Sequence, residues 1–230
     1  MTRDELFAAM EATWPAARRT GLGPFTLRDG AGGGKRVSAA NVRGPWTAQD
    51  LDRAAAAMPA PLFLIGEGDG ALDAALAARG YRLVDPVVAY ACPAAGLPPP
   101  PGMTTFAHWP PLAIAGDLWA EGGIGPERRA VMDRVTGAKT AILARSGDRP
   151  AGAAFVALSD RTAMLHALEI TPACRRQGSA HHILQAAAHW ALDRGGETLA
   201  LVVTAANGPA RALYASLGLQ PVGHYHYRQF

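Results

Sequence analysis

Lysine is almost missing from this chain: among 22 basic residues only Lys35 and Lys139 are lysines, and the rest are arginine. Cysteine occurs twice, at Cys92 and Cys174, which gives neither a disulfide framework nor zinc-ligand spacing. No apolar stretch approaches the roughly 18 residues of a membrane span; Leu199–Ala206 is among the longest and stops far short. The opening residues, Met1-Thr2-Arg3-Asp4-Glu5-Leu6, carry both charge signs and lack the apolar region of a signal peptide. No block of like charge and no ladder of basic and aromatic residues supports a nucleic-acid module. These absences predict a cytoplasmic protein that works without metal, membrane or nucleic acid; its oligomeric state, monomer or homodimer, stays open.

What is present is apolar and modestly basic. Of 230 residues, 49% are hydrophobic and 18% charged, enough to bury a core and too apolar for global disorder. At about 150 residues per domain the length corresponds to about one and a half domains. The net charge of +3 is carried by arginine, whose planar fork suits phosphate or carboxylate, so an anionic small ligand stays open.

The clearest break is the run Pro93–Gly102, with four consecutive prolines at 98–101. Such a run fits neither a helix nor a central strand. It predicts a front domain over 1–92, a linker over 93–102 and a back domain over 103–230. The back part reads β-α-α-β-β-β-α-β-α-β, a mixed α/β pattern. Its strands are predicted at Thr104–Ala107, Lys139–Arg145, Ala151–Leu158, Thr162–Ile170, Thr198–Thr204 and Val222–Tyr227. Its helices are predicted at Pro111–Trp119, Pro126–Thr136, Gly178–Arg194 and Pro209–Leu217. The front part reads as a helix over Arg3–Thr13, a hairpin of Phe25–Arg28 with Arg36–Val42, and then helix, strand, helix and strand to Tyr90. Gly30–Arg36 reads as its flexible turn; it lacks the spacing and hydroxyl of a P-loop. A shift of 138 residues lays Asp69-Gly70 on Asn207-Gly208 and Gly80 on Gly218 without a gap, the mark of an old duplication.

The chemistry concentrates in Leu165–Ala180. A strand runs through Pro172 into Arg175-Arg176-Gln177-Gly178-Ser179-Ala180, where a helix opens. The first amides of a helix have no partner within it, and its dipole is positive at that end. Small residues let a ligand approach those amides, and two arginines add charge-assisted bonds, so the turn suits a pyrophosphate.

This segment resembles motif A of the GNAT acetyltransferase superfamily, Arg/Gln-x-x-Gly-x-Gly/Ala. Downstream, Asn207–Leu219 looks like that family's Asn-x-x-Ala-x-x-Leu-Tyr-x-x-x-Gly-Phe block. The resemblance covers the back part, 103–230, and extends to the front as a worn partial copy, a tandem arrangement. It implies a GNAT fold and transfer of an acetyl group from acetyl-CoA to a primary amine of a small molecule or peptide, by direct attack. It further implies that backbone groups of Leu168 and Ile170 meet the pantetheine. The amides of Gln177, Gly178, Ser179 and Ala180, with Arg175 and Arg176, would hold the pyrophosphate. Asn207 would bond the pantetheine, and Tyr214 would serve as the acid at the sulfur. The acceptor would meet Trp119, Ile124 and Arg128, with Trp119 also readable as a plain core anchor.

The base has two candidates, Glu169 and His166. They lie three residues apart on one strand, so they point to opposite faces unless a bulge intervenes. The alternative for His166 is a hydrogen-bonded core histidine. In the front part, Asp69 stands at the position of Asn207 and Leu76 at that of Tyr214, which predicts no CoA binding there. A second functional reading is a non-catalytic acyl-CoA-binding or regulatory module.

Overall fold

The computed structural model describes residues 1–230. Its front elements are α1 (Arg3–Thr13), β1 (Arg18–Leu22), β2 (Phe25–Asp29), α2 (Lys35–Ser38), β3 (Asn41–Val42), α3 (Ala48–Ala56), β4 (Leu62–Gly66), α4 (Gly70–Ala78) and β5 (Arg82–Pro93). The back elements are β6 (Thr105–His108), α5 (Ala113–Glu121), α6 (Pro126–Arg134), β7 (Lys139–Ser146), β8 (Arg149–Ser159), β9 (Thr162–Ile170), α7 (Ser179–Leu192), β10 (Thr198–Thr204), α8 (Gly208–Ser216) and β11 (Gln220–Gln229). The boundaries have local causes. Thr2 with Glu5 and Thr47 with Asp50 form reciprocal caps that satisfy the first amides of α1 and α3. Gly80, Gly195 and Gly218 follow α4, α7 and α8 at φ +85°, +79° and +82°, a conformation that favours glycine at a helix end.

The back elements fall within a residue or two of their predicted bounds. The front hairpin differs. Arg36–Val42 is not a strand: Lys35–Ser38 form a helical turn, and only Asn41 and Val42 pair with β2. The hairpin partner of β2 is β1, with Arg19 opposite Arg28. Its residues are exposed up to Leu22, so no apolar alternation marked it in the sequence.

Eight strands form one sheet in the order β4-β11-β5-β10-β9-β8-β7-β6, and β1-β2-β3 form a second. Within the large sheet only β9 and β10 are parallel. The expected break at 93–102 does not divide this sheet. β5, from the front, lies between β10 and β11, and both neighbours of β11 come from the front. Pro93 ends β5 opposite Thr198. The amide of Ala94 donates to the Glu197 carbonyl at 2.7 Å, and His189 Nε2 bonds the Leu97 carbonyl at 3.0 Å. The connector is thus tied to the back part along its first half.

The 138-residue offset is present in the pairing itself. The β10–β5 register sets Leu201 opposite Tyr90; moving one residue back and the other forward by 138 gives Phe63 opposite Arg228, the β4–β11 register. Val87 and Tyr225, which this shift interchanges, face each other where β5 meets β11. The four strands therefore carry a local two-fold in which each half's last strand pairs with the other half's preceding one.

Alternation along the strands divides the core. Leu165, Leu199 and Leu201 pack with Ile183 and Leu184 of α7 and Tyr214 of α8. On the other face, Met164, Ala200 and Tyr225 pack with Leu6 and Met10 of α1, while Phe155 packs with Trp119 of α5 and Val131 of α6. Residues 103–230 expressed alone would leave β10 with an open edge and β11 without a neighbour, an invitation to aggregate. That fragment is expected to aggregate in gel filtration and to become soluble when co-expressed with residues 1–93; a soluble monomer with cooperative thermal unfolding would contradict the interlocked sheet.

Candidate active site

The site begins where two strands part. β9 and β10 pair from Thr162↔Thr198 to Leu165↔Leu201 and no further, although both continue. β10 stays with β5 as far as Thr204↔Val87, and β9 stays with β8 as far as Ile170↔Gly152. The cause lies in β9. Its register on β8 shifts between Phe155↔His166 and Ala153↔Glu169, so Ala167 and Leu168 occupy the place of one residue. Ala167 takes φ +50°, which costs a non-glycine residue roughly 1 kcal/mol or more. Trp119 Nε1 donates to the Ala167 carbonyl at 2.9 Å and holds the bulge. Trp119 is fully buried and does not line the cavity between the parted strands; its place is that of the core anchor of the bulge.

The bulge moves Glu169 onto the face that His166 already occupies. Both line a cavity of ≈ 580 Å³, together with Ile124, Arg128, Asn207 and Tyr214.

His166 is 4% exposed. Arg36 Nη1 lies 3.0 Å from its Nδ1, and Thr13 Oγ1 lies 2.9 Å from its Nε2. Arginine only donates, so Nδ1 accepts and Nε2–H donates to Thr13, whose hydroxyl donates onward to the Ala9 carbonyl at 2.6 Å. Trp14 packs on the ring at 4.9 Å. Burial, then the charges of Arg36 and Arg128, hold the imidazole's pKa well below its ordinary value. Both nitrogens are spent inside the protein, so His166 is the hydrogen-bonded core histidine and offers no free lone pair to an acceptor.

Glu169 is differently placed. Its carboxylate pairs with Arg175 at 3.3 Å and its side chain lies against Gly122, where a Cβ would collide with Glu169 Cγ. Gly122 closes α5 and is the close approach that admits this carboxylate. Ile124 is buried beside it, and Arg128 lines the cavity with no hydrogen bond or ion pair.

Tyr214 is 5% exposed, its ring 5.7 Å from that of Tyr90. Burial pushes its phenol up to about 12. Its hydroxyl has no bond within the protein, whereas Tyr90 accepts from Arg211 Nε at 3.2 Å. Asn207 Oδ1 accepts from the Ala210 amide at 3.2 Å and caps α8, which leaves its amide NH₂ to the cavity. At the other end, Gly178 precedes α7 at φ +85°, with no side chain capping the helix. The first-turn amides of Ser179 and Ala180 therefore stay free. Arg176 adopts φ +65°, and Gln177 is held by Ser146 Oγ at 3.0 Å and the Ala173 carbonyl at 2.9 Å. Arg175 Nε donates to the Ile170 carbonyl at 3.1 Å. Leu168 and Ile170 have no partner on the β10 side. The turn from 175 to 180 does not line the ≈ 580 Å³ cavity; it lies beyond its β9 end.

The front part supplies what the sequence reading missed: Trp14, Arg36 and the Lys35–Asp85 pair also line the cavity. The only signal was the glycine-rich run that ends in Lys35-Arg36. The front part also has a larger cavity, ≈ 940 Å³, beside β3 and β4. There Arg3 pairs with Asp69 at 2.9 Å, and Glu11 takes Arg28 and Arg43 at 3.3 and 2.7 Å. Thr47 and Asp50 already occupy the amides that open α3. The larger space is therefore charge-matched, and the smaller one carries the unpaired groups.

Burying His166 uncharged makes stability depend on pH. Its folded pKa lies below 6.5, so the unfolded chain binds the proton first. Stability is full above about pH 6.5 and falls as pH drops through the window below it. Between pH 7.5 and 5.5 this residue accounts for at most about 1.4 kcal/mol. Urea unfolding is expected to show wild type losing more stability than His166→Gln over the same interval, by up to that amount; equal losses would contradict the buried neutral ring.

Residues 116–219 match the model of the acetyltransferase (GNAT) family. Among curated proteins, none matches the sequence. A GCN5-related N-acetyltransferase from Kribbella flavida is 18% identical, with TM-score 0.75 over 100% of this chain and 96% of that one. A tandem GNAT protein from the clavulanic acid biosynthesis pathway is 16% identical, with TM-score 0.63 over 90% of this chain and 77% of its own. A GNAT acetyltransferase from Colwellia psychrerythraea is 12% identical, with TM-score 0.59 over 90% and 80%. At these identities the likeness is one of fold. Residues 116–219 thus carry the sequence pattern of the GNAT acetyltransferases, and the chain as a whole carries their fold.

Proposed function

We propose that this protein is an acetyl-CoA-dependent N-acetyltransferase acting on a primary amine. The parting of β9 from β10 in front of an uncapped α7 carries the reading. A strand edge freed inside a fold has peptide groups to satisfy, and a pantetheine arm carries amides that can satisfy them. Free amides at the start of α7, beside Arg175 and Arg176, fit a pyrophosphate. Acetyl-CoA would supply a thioester carbon open to amine attack; a carbon–nitrogen bond forms and the carbon–sulfur bond breaks. The proton that leaves the nitrogen passes through the base to solvent, and solvent returns one proton to the sulfur.

Glu169, which lines the cavity on the face of His166, would take the first proton, directly or through water. His166 serves as a positioning residue, through Arg36 and Thr13. Tyr214 acts at the sulfur mainly as a hydrogen-bond donor. A phenol near 12 facing a thiolate of ordinary pKa about 8.5 would give up its proton only uphill, by roughly 5 kcal/mol. Its proton therefore stays available at any working pH. The front part reads as a reduced copy without its own CoA site, since Thr47 and Asp50 occupy the amides that open α3 and Asp69, paired with Arg3, stands where Asn207 would bond the pantetheine.

Calorimetry of acetyl-CoA is expected to show binding to wild type and at least about tenfold weaker binding to Gly178→Glu; equal affinities would remove the site. In a thiol-release assay Tyr214→Phe should lower turnover about 10- to 100-fold, the worth of one bond to a charged acceptor, with acetyl-CoA affinity nearly unchanged. Glu169→Gln should cost about 100-fold, and Gly122→Ala should reproduce much of that loss by displacing the carboxylate. Unchanged turnover in these variants would overturn the assigned roles, and binding without turnover on any amine would favour a non-catalytic acyl-CoA module.

A further inference from the structure

The acceptor wall of the cavity carries more positive charge than the protein neutralises. Arg36 comes from α2 and Arg128 from α6, and both line the space next to His166. Arg128 has no hydrogen bond or ion pair, and Arg36 bonds only a neutral nitrogen, His166 Nδ1, at 3.0 Å. The Nε of Arg36 is buried without an acceptor. Every other charge at this wall has a partner. Lys35 Nζ meets Asp85 at 2.6 Å and Arg175 meets Glu169 at 3.3 Å. Tyr225 and Tyr227 also line the cavity and offer only hydroxyls. Burial and the charge of Arg36 lower the pKa of Arg128, so these two cations feel each other with no anion between them.

Two unneutralised guanidiniums in one cavity call for a planar anion, because each fork matches a pair of carboxylate oxygens. A phosphate dianion is better served by a nest of amides at the start of a long helix, and the helix at this wall, α2, is a single turn of four residues. We infer that the acceptor amine also bears a carboxylate, which Arg36 and Arg128 bind, with the amine turned toward Glu169 and the parted strands. This rests on the acetyltransferase reading above and adds the substrate class to it.

The test is a thiol-release screen that pairs each common amino acid with its decarboxylated amine, for instance phenylalanine with phenethylamine and lysine with cadaverine. The best carboxylate-bearing acceptor is expected to exceed its partner in kcat/KM by about 30-fold, and Arg128→Gln should cut that ratio at least about tenfold. Arg36→Gln should act likewise; because Arg36 also positions His166, the exposed Arg128 is the primary variant. Calorimetry with amino acids and no acetyl-CoA reads the same contact without turnover, and the binding should be lost in Arg128→Gln. Equal turnover within pairs, or preference for the decarboxylated member, overturns the carboxylate and leaves acetyl transfer standing. So does a preference for glucosamine 6-phosphate over glucosamine with none among the carboxylates. Failure of acetyl-CoA to bind, with amino acids still bound through Arg128, overturns the acetyltransferase reading instead. No binding and no turnover of any carboxylate-bearing amine in the screen overturns the inference.

Discussion

The hydrogen bond from the Trp119 indole to the Ala167 carbonyl is the contact on which the site depends. It fixes a backbone conformation that alanine does not favour and so makes the bulge permanent. The bulge turns β9 away from β10 while each keeps its outer neighbour, β8 and β5. Gly152 assists, because a Cβ there would collide with the Glu169 carbonyl and with Ile170. One local distortion thus opens the sheet, frees the edge of β9 and brings Glu169 round to the face of His166. Without it Glu169 would point toward α7, away from Arg36 and Arg128.

The front part is structural first. β5 closes the side of β10 that would otherwise be open, and β4 and β5 together hold β11. It also builds one wall of the cavity with Trp14 and Arg36 and supplies Thr13 to His166. The cavity is therefore a product of both parts, although the sequence pattern of the chemistry lies in the second. The contrast between the two clefts follows from charge. Around Glu11, burial alone would raise the carboxyl's pKa, but hydrogen bonding to Arg19 and the charges of Arg28, Arg19 and Arg43 outweigh it and hold the group low. The cations there are consumed; those around His166 are not.

Much of this was legible in the sequence, for stateable reasons. β9, α7, β10 and α8 carry strong apolar periodicity and glycine stops, and the turn from Arg175 to Ala180 identifies itself by spacing. The need for a bulge followed from parity: residues 166 and 169 cannot share a face of a regular strand. What could not be read was anything set by neighbour order. The interlocked placement of β5 leaves no periodic mark, since an antiparallel central strand reads the same beside either partner. β1 was invisible because it is exposed, and Lys35–Ser38 buries only Val37, too little pattern to separate a helical turn from a strand. Arg36 and Trp14 enter the site through tertiary contact alone.

The electrostatics of the two ends complement each other. Arg176 and the start of α7 make one end of the proposed binding path positive, while Arg36 and Arg128 make the other end positive, with apolar lining such as Leu165, Leu201 and Val202 between them. The uncharged part of a thioester suits that middle. The same arginines that keep His166 neutral would disfavour a second cation beside them, so an ammonium entering there has its pKa lowered. A bound carboxylate relieves part of that field while holding the amine in place. The base then needs less strength than a free amine would demand, which is compatible with a carboxylate, Glu169, in that role. On the proposed reading the cationic wall would do more than recognise: it would favour the deprotonated form of an amine acceptor.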